Sequence, residues 1–556
     1  MKWQIINQKN ISETEEIIKI LLANRGLKNK KEIEDFLKPK EPQDLTAAQV
    51  GISPVQLKKA ILRIKQAIKK KEKIIVYGDF DTDGVCGTAI LWEALHHFGA
   101  NVLPFIPKRD EGYGLKAERL EKMAKDGIGL IITVDQGIVA YTQAQKAKKL
   151  GIDLIITDHH TLGEKKPQAL AIVYTKELAG CGVAWFLSRE LYSSLEEKKN
   201  APGLDLVAIG TITDLVPLIG PNRSLVKYGL SFLSKTQRPG LRALFDFAGL
   251  SQKELGVFES SYIIGPRINA AGRMDDPMES LRLICTTDES RAISLAQKID
   301  QRNRERQILT QQMMVHAREL LLKEDKKNSL IFISHESYQE GVIGLVAGKL
   351  TEEFYLPSVV VAQGKEISRA SARSINEFNI IEAIRECQKI LKSHGGHPRA
   401  AGFTIETEKI TMMKEKLLKI AGTKLKNQDL SPTLKIDLKI DLDLLTPAFF
   451  QELKKLEPFG EGNPQPVFLS SNVKVIHAQT VGSEKQHLKL RLGSLIDSSF
   501  TIEAIGFGLG SSFSQLSPEQ KIEIVYNLTV NEWNGHQGLQ LKIKDLKGEN
   551  SDGKKV

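Results

Sequence analysis

Residues 73–84, Lys-Ile-Ile-Val-Tyr-Gly-Asp-Phe-Asp-Thr-Asp-Gly, are the stretch that decides the fold. The apolar run 74–77 has the length and β-branching of a buried strand, and a helical pattern begins at the final glycine. Between them, Asp79, Asp81 and Asp83 stand at alternate positions. Ligands of open α/β sheets bind where strands end, and crowded carboxylates raise one another's pKa unless a cation neutralises them. An acidic turn with one helix-capping Asp explains a single carboxylate, so the stretch favours a metal site.

The size and charge of the chain limit its class. Its 556 residues exceed what one hydrophobic core supports, so about three or four domains are expected. A hydrophobic content of 41% and a charged content of 26% are ordinary for a globular protein. A net charge of +10 with a pI of about 9.1 suits a polyanionic partner such as nucleic acid, although many basic proteins are only well solvated.

The lack of a recognisable targeting signal and the spacing of the cysteines predict a cytoplasmic protein. No apolar run reaches about 18 residues, so no membrane span is expected. The N-terminal residues lack the apolar core of a signal peptide. The cysteines are widely separated, which argues against zinc knuckles and against a disulfide framework. They are Cys86, Cys181, Cys285 and Cys387.

The periodicity of apolar residues divides the chain into segments of different type. Helices and strands first alternate, which indicates crossover units and a mostly parallel sheet with helices on both faces. Later, short strands recur at the spacing of a small β-barrel of the oligonucleotide-binding (OB) type. The expected segments are a helical N-terminal segment (1–50), a first α/β domain (51–225), a helical connector (226–328), a second α/β domain (329–428), the OB-type barrel (429–547) and a disordered polar tail (548–556).

Two further predicted strands end as the first one does. Asp135 follows Leu-Ile-Ile-Thr-Val, and Asp158, His159 and His160 follow Leu-Ile-Ile-Thr. Asp214 interrupts an apolar helical segment, where an unpaired carboxylate would be costly. Singly, each could be a turn residue, a surface histidine or a helix cap, whereas neighbouring parallel strands would bring them to one edge. Oxygen and imidazole ligands without cysteine favour Mn²⁺ or Mg²⁺ over zinc, and a shared carboxylate could bridge two ions about 4 Å apart.

Three basic segments are candidates for holding nucleic acid. Arg109 and Tyr113 lie in Pro-Lys-Arg-Asp-Glu-Gly-Tyr-Gly, which is either a phosphate-binding loop or a solvated turn. Arg267, Asn269 and Arg273 alternate with small residues and either bind phosphate or pin a domain interface. The third set combines a hydroxyl, guanidinium groups and a flexible glycine backbone: Ser371, Arg373, Gly395, Gly396, His397 and Arg399.

Ordered motifs along the chain resemble a known superfamily. The four that resemble the DHH phosphoesterases are Asp79-Phe-Asp-Thr-Asp-Gly, Val134-Asp-Gln-Gly, Asp158-His-His and Gly210-Thr-Ile-Thr-Asp-Leu-Val-Pro. Further segments resemble the RecJ family of single-strand-specific exonucleases within it. They are Ile264-Gly-Pro-Arg-Ile-Asn-Ala-Ala-Gly-Arg-Met, Gly341-Val-Ile-Gly-Leu-Val-Ala, Ser371-Ala-Arg-Ser, His394-Gly-Gly-His-Pro-Arg-Ala-Ala-Gly and Leu456-Glu-Pro-Phe-Gly-Glu-Gly-Asn-Pro-Gln-Pro. The resemblance covers about residues 50–545.

The resemblance implies a DHH catalytic domain, a DHH-associated domain and an OB-fold domain, with two bound ions. It assigns one ion to Asp83, Asp135, His159 and Asp214, and the other to Asp81 and Asp135 with Asp79. It places His160 beside them, where it contacts the scissile phosphate or supports a ligand. Asp135, His159 and His160 are the implied catalytic residues.

The implied activity is 5′→3′ hydrolysis of single-stranded DNA to mononucleotides, in DNA repair and recombination. A monomer that works with a helicase and a single-strand-binding protein is expected. Tyr77 stands where several DHH relatives carry a metal-binding histidine, and Gln339 stands where RecJ relatives often have a histidine. These departures concern occupancy of the Asp81-side ion and one polar contact of the second domain.

Two alternatives remain open, and each has a feature against it. A DHH phosphatase or nuclease for short oligonucleotides would not need the long connector and the barrel. A catalytically inactive nucleic-acid scaffold would lose acids from the metal set, and every one is present. In the barrel, stacking of bases on aromatic side chains could lengthen the stretch of nucleic acid that the protein contacts, although core packing is the commoner fate of aromatic residues. The candidates are Phe500, Phe507, Tyr526 and Trp533, of which Trp533 is the expected platform.

Overall fold

The computed structural model describes residues 1–9, 11, 13–112, 114–196, 201–323, 328–533 and 536–548. Its contacts divide the chain into two compact units. One unit combines Met1–Leu45, Leu215–Tyr228 and Pro432–Val556, and the other combines Thr46–Asp214 with Gly229–Ser431. Each unit is therefore assembled from segments that are distant in sequence. The six segment boundaries expected from the sequence stay predictions.

The regular elements fill most of the chain. The strands are β1 (Lys2–Asn7), β2 (Lys73–Tyr77), β3 (Asn101–Phe105), β4 (Ile128–Val134), β5 (Asp153–Asp158), β6 (Ala171–Tyr174), β7 (Ile331–His335), β8 (Ser358–Ala362), β9 (Ile367–Arg373), β10 (Leu391–His397), β11 (Ala400–Glu406), β12 (Thr433–Lys439), β13 (Phe468–Val481), β14 (His487–Gly493), β15 (Thr501–Gly506), β16 (Lys521–Trp533) and β17 (His536–Gly548). The helices are α1 (Thr14–Asn24), α2 (Lys30–Leu37), α3 (Pro54–Lys69), α4 (Thr82–His97), α5 (Ala117–Lys125), α6 (Tyr141–Lys149), α7 (Gly180–Glu196), α8 (Leu204–Thr213), α9 (Gly220–Leu233), α10 (Pro239–Ala248), α11 (Val257–Glu259), α12 (Gly265–Met274), α13 (Met278–Cys285), α14 (Glu289–Leu322), α15 (Glu340–Phe354), α16 (Ile380–Glu386), α17 (Ile410–Lys424) and α18 (Pro447–Lys454).

The first sheet has five strands in the order β3-β2-β4-β5-β6, and every neighbouring pair is parallel. The central strands are apolar along their length because both faces are buried; β4, for example, reads Ile-Gly-Leu-Ile-Ile-Thr-Val. All carboxyl ends of a parallel sheet lie at one edge, so the residues directly after β2, β4 and β5 are brought together. The prediction of a mostly parallel α/β domain is confirmed.

A helical segment comes after the first sheet, as the sequence predicts, and leads to the second α/β region. Its final helix, α14, has 34 residues and is therefore about 50 Å long. Its buried positions include Ala296 and Ile299 near one end and Met313 and Met314 near the other. Within the described ranges, no helix combines the length and apolarity needed to cross a membrane.

The second sheet has the order β10-β11-β9-β8-β7. Strands β7 and β8 are parallel, and the other pairs are antiparallel, so the mixed character expected from the sequence is confirmed. One face packs on α16 and α17, and the other packs on α15 and the end of α14. Strand β10 forms the edge and is exposed over most of its length.

The C-terminal strands close into a five-stranded barrel. Its order is β13-β14-β15-β17-β16, and β13 pairs with β16 to complete the cylinder. Strands β15 and β17 are parallel while the other barrel pairs are antiparallel. This is the partly Greek-key topology of the OB fold, so the barrel prediction is confirmed.

The N-terminal segment contains a strand as well as the expected helices. Strand β1 pairs in parallel with β12, and alternate residues Trp3 and Ile5 pack against Leu469 and Val525. The expectation of a purely helical lead-in over residues 1–50 was therefore wrong in this part. A six-residue strand whose partner lies more than 400 residues away gives no local turn signal from which its pairing could be predicted.

Candidate metal centre

Polar side chains come after three strands that are neighbours in the first sheet. Asp79 comes after β2, Asp135 after β4, and Asp158 closes β5 with His159 directly behind it. Asp214 arrives from the C-terminal end of α8. The structure thus brings every predicted metal ligand to one edge of the sheet, as parallel strand ends require.

Oxygen atoms of three carboxylates lie close to the imidazole of His159. His159 Nε2 lies 3.1 Å from Asp135 Oδ1, 3.5 Å from Asp214 Oδ2 and 3.8 Å from Asp83 Oδ2. Asp79, Asp81 and Asp135 form an adjoining group whose oxygen atoms lie within 4.8 Å of one another. Because Asp135 belongs to both groups, the arrangement offers two adjoining cation positions with a shared carboxylate.

Hydrogen bonds from backbone amides hold the start of α4 at the edge of the sheet where the predicted metal ligands meet. Asp81 is the N-cap of α4, and its carboxylate accepts from Gly84 N at 3.0 Å. Asp83 accepts from Gly180 N at 2.6 Å and from Cys181 N at 2.9 Å, at the amino end of α7, where the helix dipole favours an anion. A Cβ on Gly180 would lie 2.6 Å from Asp135 Cβ, so only glycine fits there. Sequence reasoning missed Gly180 and Cys181, since neither belongs to a motif that carried the argument.

The electrostatics of these carboxylates call for a cation. Burial, and then the charge of neighbouring carboxylates, raises the pKa of Asp79, Asp81 and Asp135 above the usual range for Asp. The same causes raise the pKa of Asp214 to about 9. Asp79 Oδ1 and His159 Nε2 are buried and make no hydrogen bond within the described ranges. Five acids (Asp79, Asp81, Asp83, Asp135 and Asp214), here named the acid cluster, therefore fit Mn²⁺ or Mg²⁺, which accept oxygen and imidazole ligands.

Asp158 orients His160, a role that sequence reasoning did not assign. Asp158 Oδ1 lies 2.8 Å from His160 Nδ1, and Oδ2 accepts from Ile138 N at 2.8 Å. Burial alone would lower the pKa of His160, but the hydrogen bond and charge of Asp158 raise it to about 9. His160 Nδ1 also lies 3.7 Å from Asp135 Oδ1, which places a cationic ring beside the acid cluster. The adjacency of Asp and His in the sequence was the available signal.

Tyr77, which stands where relatives carry a metal-binding histidine, belongs to the apolar core. Its side chain is fully buried and its ring centroid lies 5.0 Å from that of Phe105. Burial raises the pKa of its hydroxyl, so it stays neutral. The cation positions are consequently framed by the acids and His159 rather than by this strand residue.

The charges of Arg109, Arg306 and Arg373 all act on Arg273, which itself interacts with Asp81, and these four arginines are here named the arginine cluster. Cζ of Arg109 lies 4.2 Å from the centroid of the Phe80 ring, and the guanidinium interacts electrostatically with Asp79 and Asp81. Burial, followed by repulsion from the other three, lowers the pKa of Arg273 to about 9. Cations that repel one another in this way suit a phosphate, whose negative charge would relieve the repulsion. Arg306 was missed from the sequence, where it lies within a charged helix pattern.

The second sheet contributes Ser371 and Arg373 on β9, with Arg373 Nη1 3.2 Å from Ser371 Oγ. The backbone of Gly395 and Gly396 was expected to be flexible, but the structure pairs both glycines, together with His397, in β10. The exposed β10 lies two strands from β9, about 10 Å away. Arg399, in the turn after β10, is also exposed. The Ser371 hydroxyl and the Arg373 guanidinium are therefore in contact, whereas the hairpin that begins with β10 lies at the edge of the same sheet.

The remaining predicted residues have different surroundings. Arg267 Nε lies 3.0 Å from Asp300 Oδ1 on α14, so this guanidinium joins two helices of the helical segment. Asn269 Oδ1 accepts from Thr82 N at 2.9 Å and fixes the first turn of α4. Tyr113 lies outside the described residues.

Among the barrel aromatics, burial separates core from surface. Tyr526 is fully buried, and Phe500 packs against the barrel core. Phe507 is 56% exposed, with His487 at 5.1 Å and Lys542 Nζ at 5.4 Å from its ring centroid. The side chain of Trp533 lies outside the described part of the structure. Of the four predicted candidates, Phe507 is the one with a described, largely exposed ring, which fits a stacking surface on this barrel.

Family models match three successive parts of the chain. The DHH family N-terminal domain matches residues 73–211, the DHHA1 domain matches residues 327–423, and the RecJ OB domain matches residues 436–545. The chain is 36% identical over 565 residues to the single-stranded-DNA-specific exonuclease RecJ of Bacillus subtilis, covering 98% of this chain and 70% of the relative. The chain belongs to the RecJ family.

Solved RecJ structures agree with the metal centre. The structure of RecJ from Thermus thermophilus in complex with Mn²⁺ matches with a TM-score of 0.82 and 30% identity, covering 98% of this chain and 79% of that one. The complex with Mg²⁺ from the same organism matches with a TM-score of 0.76 and 29% identity, over 98% and 78% of the two chains. Mn²⁺ or Mg²⁺ is thus the cofactor of this RecJ-family chain, as the ligand chemistry predicts.

Proposed function

We propose that this protein is a metal-dependent exonuclease specific for single-stranded DNA, which it degrades in the 5′→3′ direction to mononucleotides during DNA repair and recombination. The observation that carries the proposal is the convergence of the acid cluster with His159 at the ends of three parallel strands. Such paired cation positions are used for hydrolysis of phosphoester bonds.

Each ligand has a proposed role. One ion would be held by Asp83, Asp135, His159 and Asp214, and the second by Asp79, Asp81 and Asp135. When bound, Mn²⁺ or Mg²⁺ would activate a water and stabilise the charge that grows on the phosphate oxygens. His160, held as a cation by Asp158, donates a hydrogen bond to the scissile phosphate.

The arginine cluster holds the DNA backbone next to the ions. Arg109 and Arg273 stand on the side of the acid cluster, and Ser371 and Arg373 stand on the second sheet. Their positive charge anchors the 5′ end, while the β10 hairpin with Gly395, Gly396, His397 and Arg399 provides further exposed donors. Arg267 and Asn269 support this surface through their contacts with Asp300 and Thr82, and Tyr113, outside the described residues, stays a predicted nucleic-acid contact. We expect the space between these groups to admit one strand and to be too narrow for a duplex, which would give the preference for single strands.

The setting of the protein is inferred from its chemistry. All four cysteines are free thiols, which suits a reducing compartment, and we place the protein in the cytoplasm. A nuclease that consumes unpaired DNA requires a helicase to expose it and meets single-strand-binding protein on it. We expect the enzyme to act as a monomer, which sedimentation velocity at several concentrations would test.

One nuclease assay tests the activity, its polarity and its metal requirement. Single strands and duplexes labelled at either end are incubated with Mn²⁺, Mg²⁺ or EDTA. We expect metal-dependent release of mononucleotides from the 5′ end of single strands. Attack on both strand types at equal rates, or turnover in EDTA, would contradict the proposal, and cleavage confined to very short oligonucleotides in a length series would indicate a DHH phosphatase.

Two histidine variants test the placement of the centre. His159→Ala should abolish hydrolysis because it removes the donor on which three carboxylates converge. His96→Ala is the matched control, since His96 is exposed at the far end of α4. An active His159→Ala enzyme would rule out this centre.

A further inference from the structure

Two aromatic side chains stand exposed together on the helical segment before α12. Phe258 is 57% exposed and Tyr262 is 70% exposed, although both rings are large enough to make burial favourable. Their centroids are 5.1 Å apart with the ring planes at 32°. The two rings therefore form one small aromatic surface that faces solvent.

The segment that bears these two rings continues directly into residues that pack beside the metal centre. α11, a π-helical turn (Ser260–Ile264) and α12 form one continuous run. Such π turns occur frequently at functional sites. Gly265 is so close to α8 that a Cβ there would lie 2.2 Å from Thr213 Cγ2, and its carbonyl accepts from Thr82 Oγ1 at 3.1 Å. Thr213 precedes Asp214, and Thr82 stands between Asp81 and Asp83.

Tyr262 is close in the chain to the residue that packs against Thr82 and Thr213. It precedes Gly265 by less than one helical turn, a separation of roughly 5 Å along the axis. Farther along the same run, Asn269 fixes the start of α4 and Arg273 enters the arginine cluster. One helical run thus presents aromatic rings, a fixing amide and a guanidinium in succession.

We propose that Phe258 and Tyr262 form a base-stacking platform for the single strand that is held at the metal centre. The proposal rests on the proposed function and names its next contact with substrate. Every base has a π-face, so stacking on these rings tolerates any sequence. Bases of a duplex are already stacked on one another, so the platform favours unpaired DNA. The continuity of the platform with the acid cluster favours nucleic acid over a protein partner as the occupant.

A scan with abasic substrates tests the platform directly. A set of single strands is prepared in which one nucleotide, at a different position in each, lacks its base. The wild-type enzyme should show a rise in KM, on the order of tenfold, when the missing base falls at one position near the 5′ end. Tyr262→Ala should raise KM on the intact strand by a similar factor and should lose the dependence on that position. Tyr262→Phe keeps the ring and should behave as wild type.

Two controls separate stacking from a structural effect. A 5′-phosphorylated dinucleotide is too short to reach the platform, so its hydrolysis should keep its kcat and KM in Tyr262→Ala and Phe258→Ala. Phe232→Ala is the matched variant, because Phe232 is 56% exposed on α9, whose Gly229 packs near Leu204 at the opposite end of α8 from Asp214. It should leave strand binding unchanged.

The possible failures are distinguishable. A wild-type enzyme that does not degrade single strands contradicts the proposed function itself. Normal degradation with a flat abasic scan overturns the platform alone, and so does an equal loss on the dinucleotide. A change in sedimentation of Phe258→Ala or Tyr262→Ala with unchanged KM would show that the rings contact protein, which also overturns it.

Discussion

The acid cluster and the arginine cluster are adjacent and opposite in charge. In each of them, burial and repulsion between like charges disfavour the charged form. In the acid cluster, burial and repulsion raise the pKa of Asp79, Asp81 and Asp135. In the arginine cluster, burial and repulsion lower the pKa of Arg273 to about 9. Like charges gathered out of water cost stability, and natural proteins keep such arrangements at functional sites. The difference in sign suits the first to cations and, under the proposed function, the second to the phosphates of the DNA backbone.

The clusters also differ in how they are built. The acid cluster lies at strand ends and helix caps around a single sheet, so its geometry is a direct consequence of parallel topology. The arginine cluster draws on a loop, two helices and a strand of the second sheet. Substitution in the first should therefore stop chemistry, and substitution in the second should weaken binding.

The largest effect is expected from Asp135→Ala. Because Asp135 belongs to both cation groups, its loss should lower kcat by on the order of 10³-fold or more. Binding of a labelled single strand, measured by fluorescence anisotropy, should persist through the arginine cluster. Asp126→Ala, exposed at the other end of β4, is the control. Parallel loss of binding and catalysis in Asp135→Ala would break the division of labour.

Asp158→Asn should have the next largest effect. The amide oxygen can still accept from His160 Nδ1, but the negative charge that stabilises the cationic ring is lost, so kcat should fall by about 10- to 100-fold while Mn²⁺ affinity is kept. Titration calorimetry with Mn²⁺ and steady-state rates measure the two quantities. Asp153→Asn, at the start of the same strand and paired with Arg63, should change neither rate nor affinity. Unchanged kcat in Asp158→Asn would remove His160 from the proposed mechanism.

Arg373→Ala tests the other side of the comparison. We expect KM for a 5′-phosphorylated strand to rise about tenfold with kcat nearly unchanged, because a charged hydrogen bond to phosphate is lost. Arg318→Ala removes only an exposed ion pair with Glu353 and should be silent. A fall in kcat at constant KM would instead place Arg373 in the chemical step.

The smallest effect concerns stability. Mn²⁺ at about a hundred times its Kd should raise the thermal midpoint of the wild type by roughly 2–4 °C, since only the folded chain gathers the ligands. Asp135→Asn removes one repelling charge, so its metal-free midpoint should lie above that of the wild type, and added Mn²⁺ should shift it less. Differential scanning fluorimetry measures both. A metal-free variant less stable than the wild type would show that repulsion in the acid cluster is already relieved.

Much of the metal site could be predicted because its ligands occur in local patterns. Asp79, Asp135 and His159 each come directly after an apolar strand, and parallel strands leave one place for them to meet. The pairing of Arg267 with Asp300 and of Asp83 with the amides of α7 could not be predicted in this way. Those contacts join residues far apart in sequence, and their geometry depends on how whole helices pack.

By itself, the sequence determined the elements and the chemistry of their ends: buried strands followed by acids, a run of short strands that closes as an OB barrel, and oxygen and imidazole ligands suited to Mn²⁺ or Mg²⁺. Only the tertiary structure decided that β1 joins β12, that Arg109, Arg306 and Arg373 all come near Arg273, and that Phe258 and Tyr262 are exposed to solvent together. The physical reason is range. Periodicity and strand order act between neighbours along the chain, whereas side-chain burial and charge clustering depend on segments that meet only after folding.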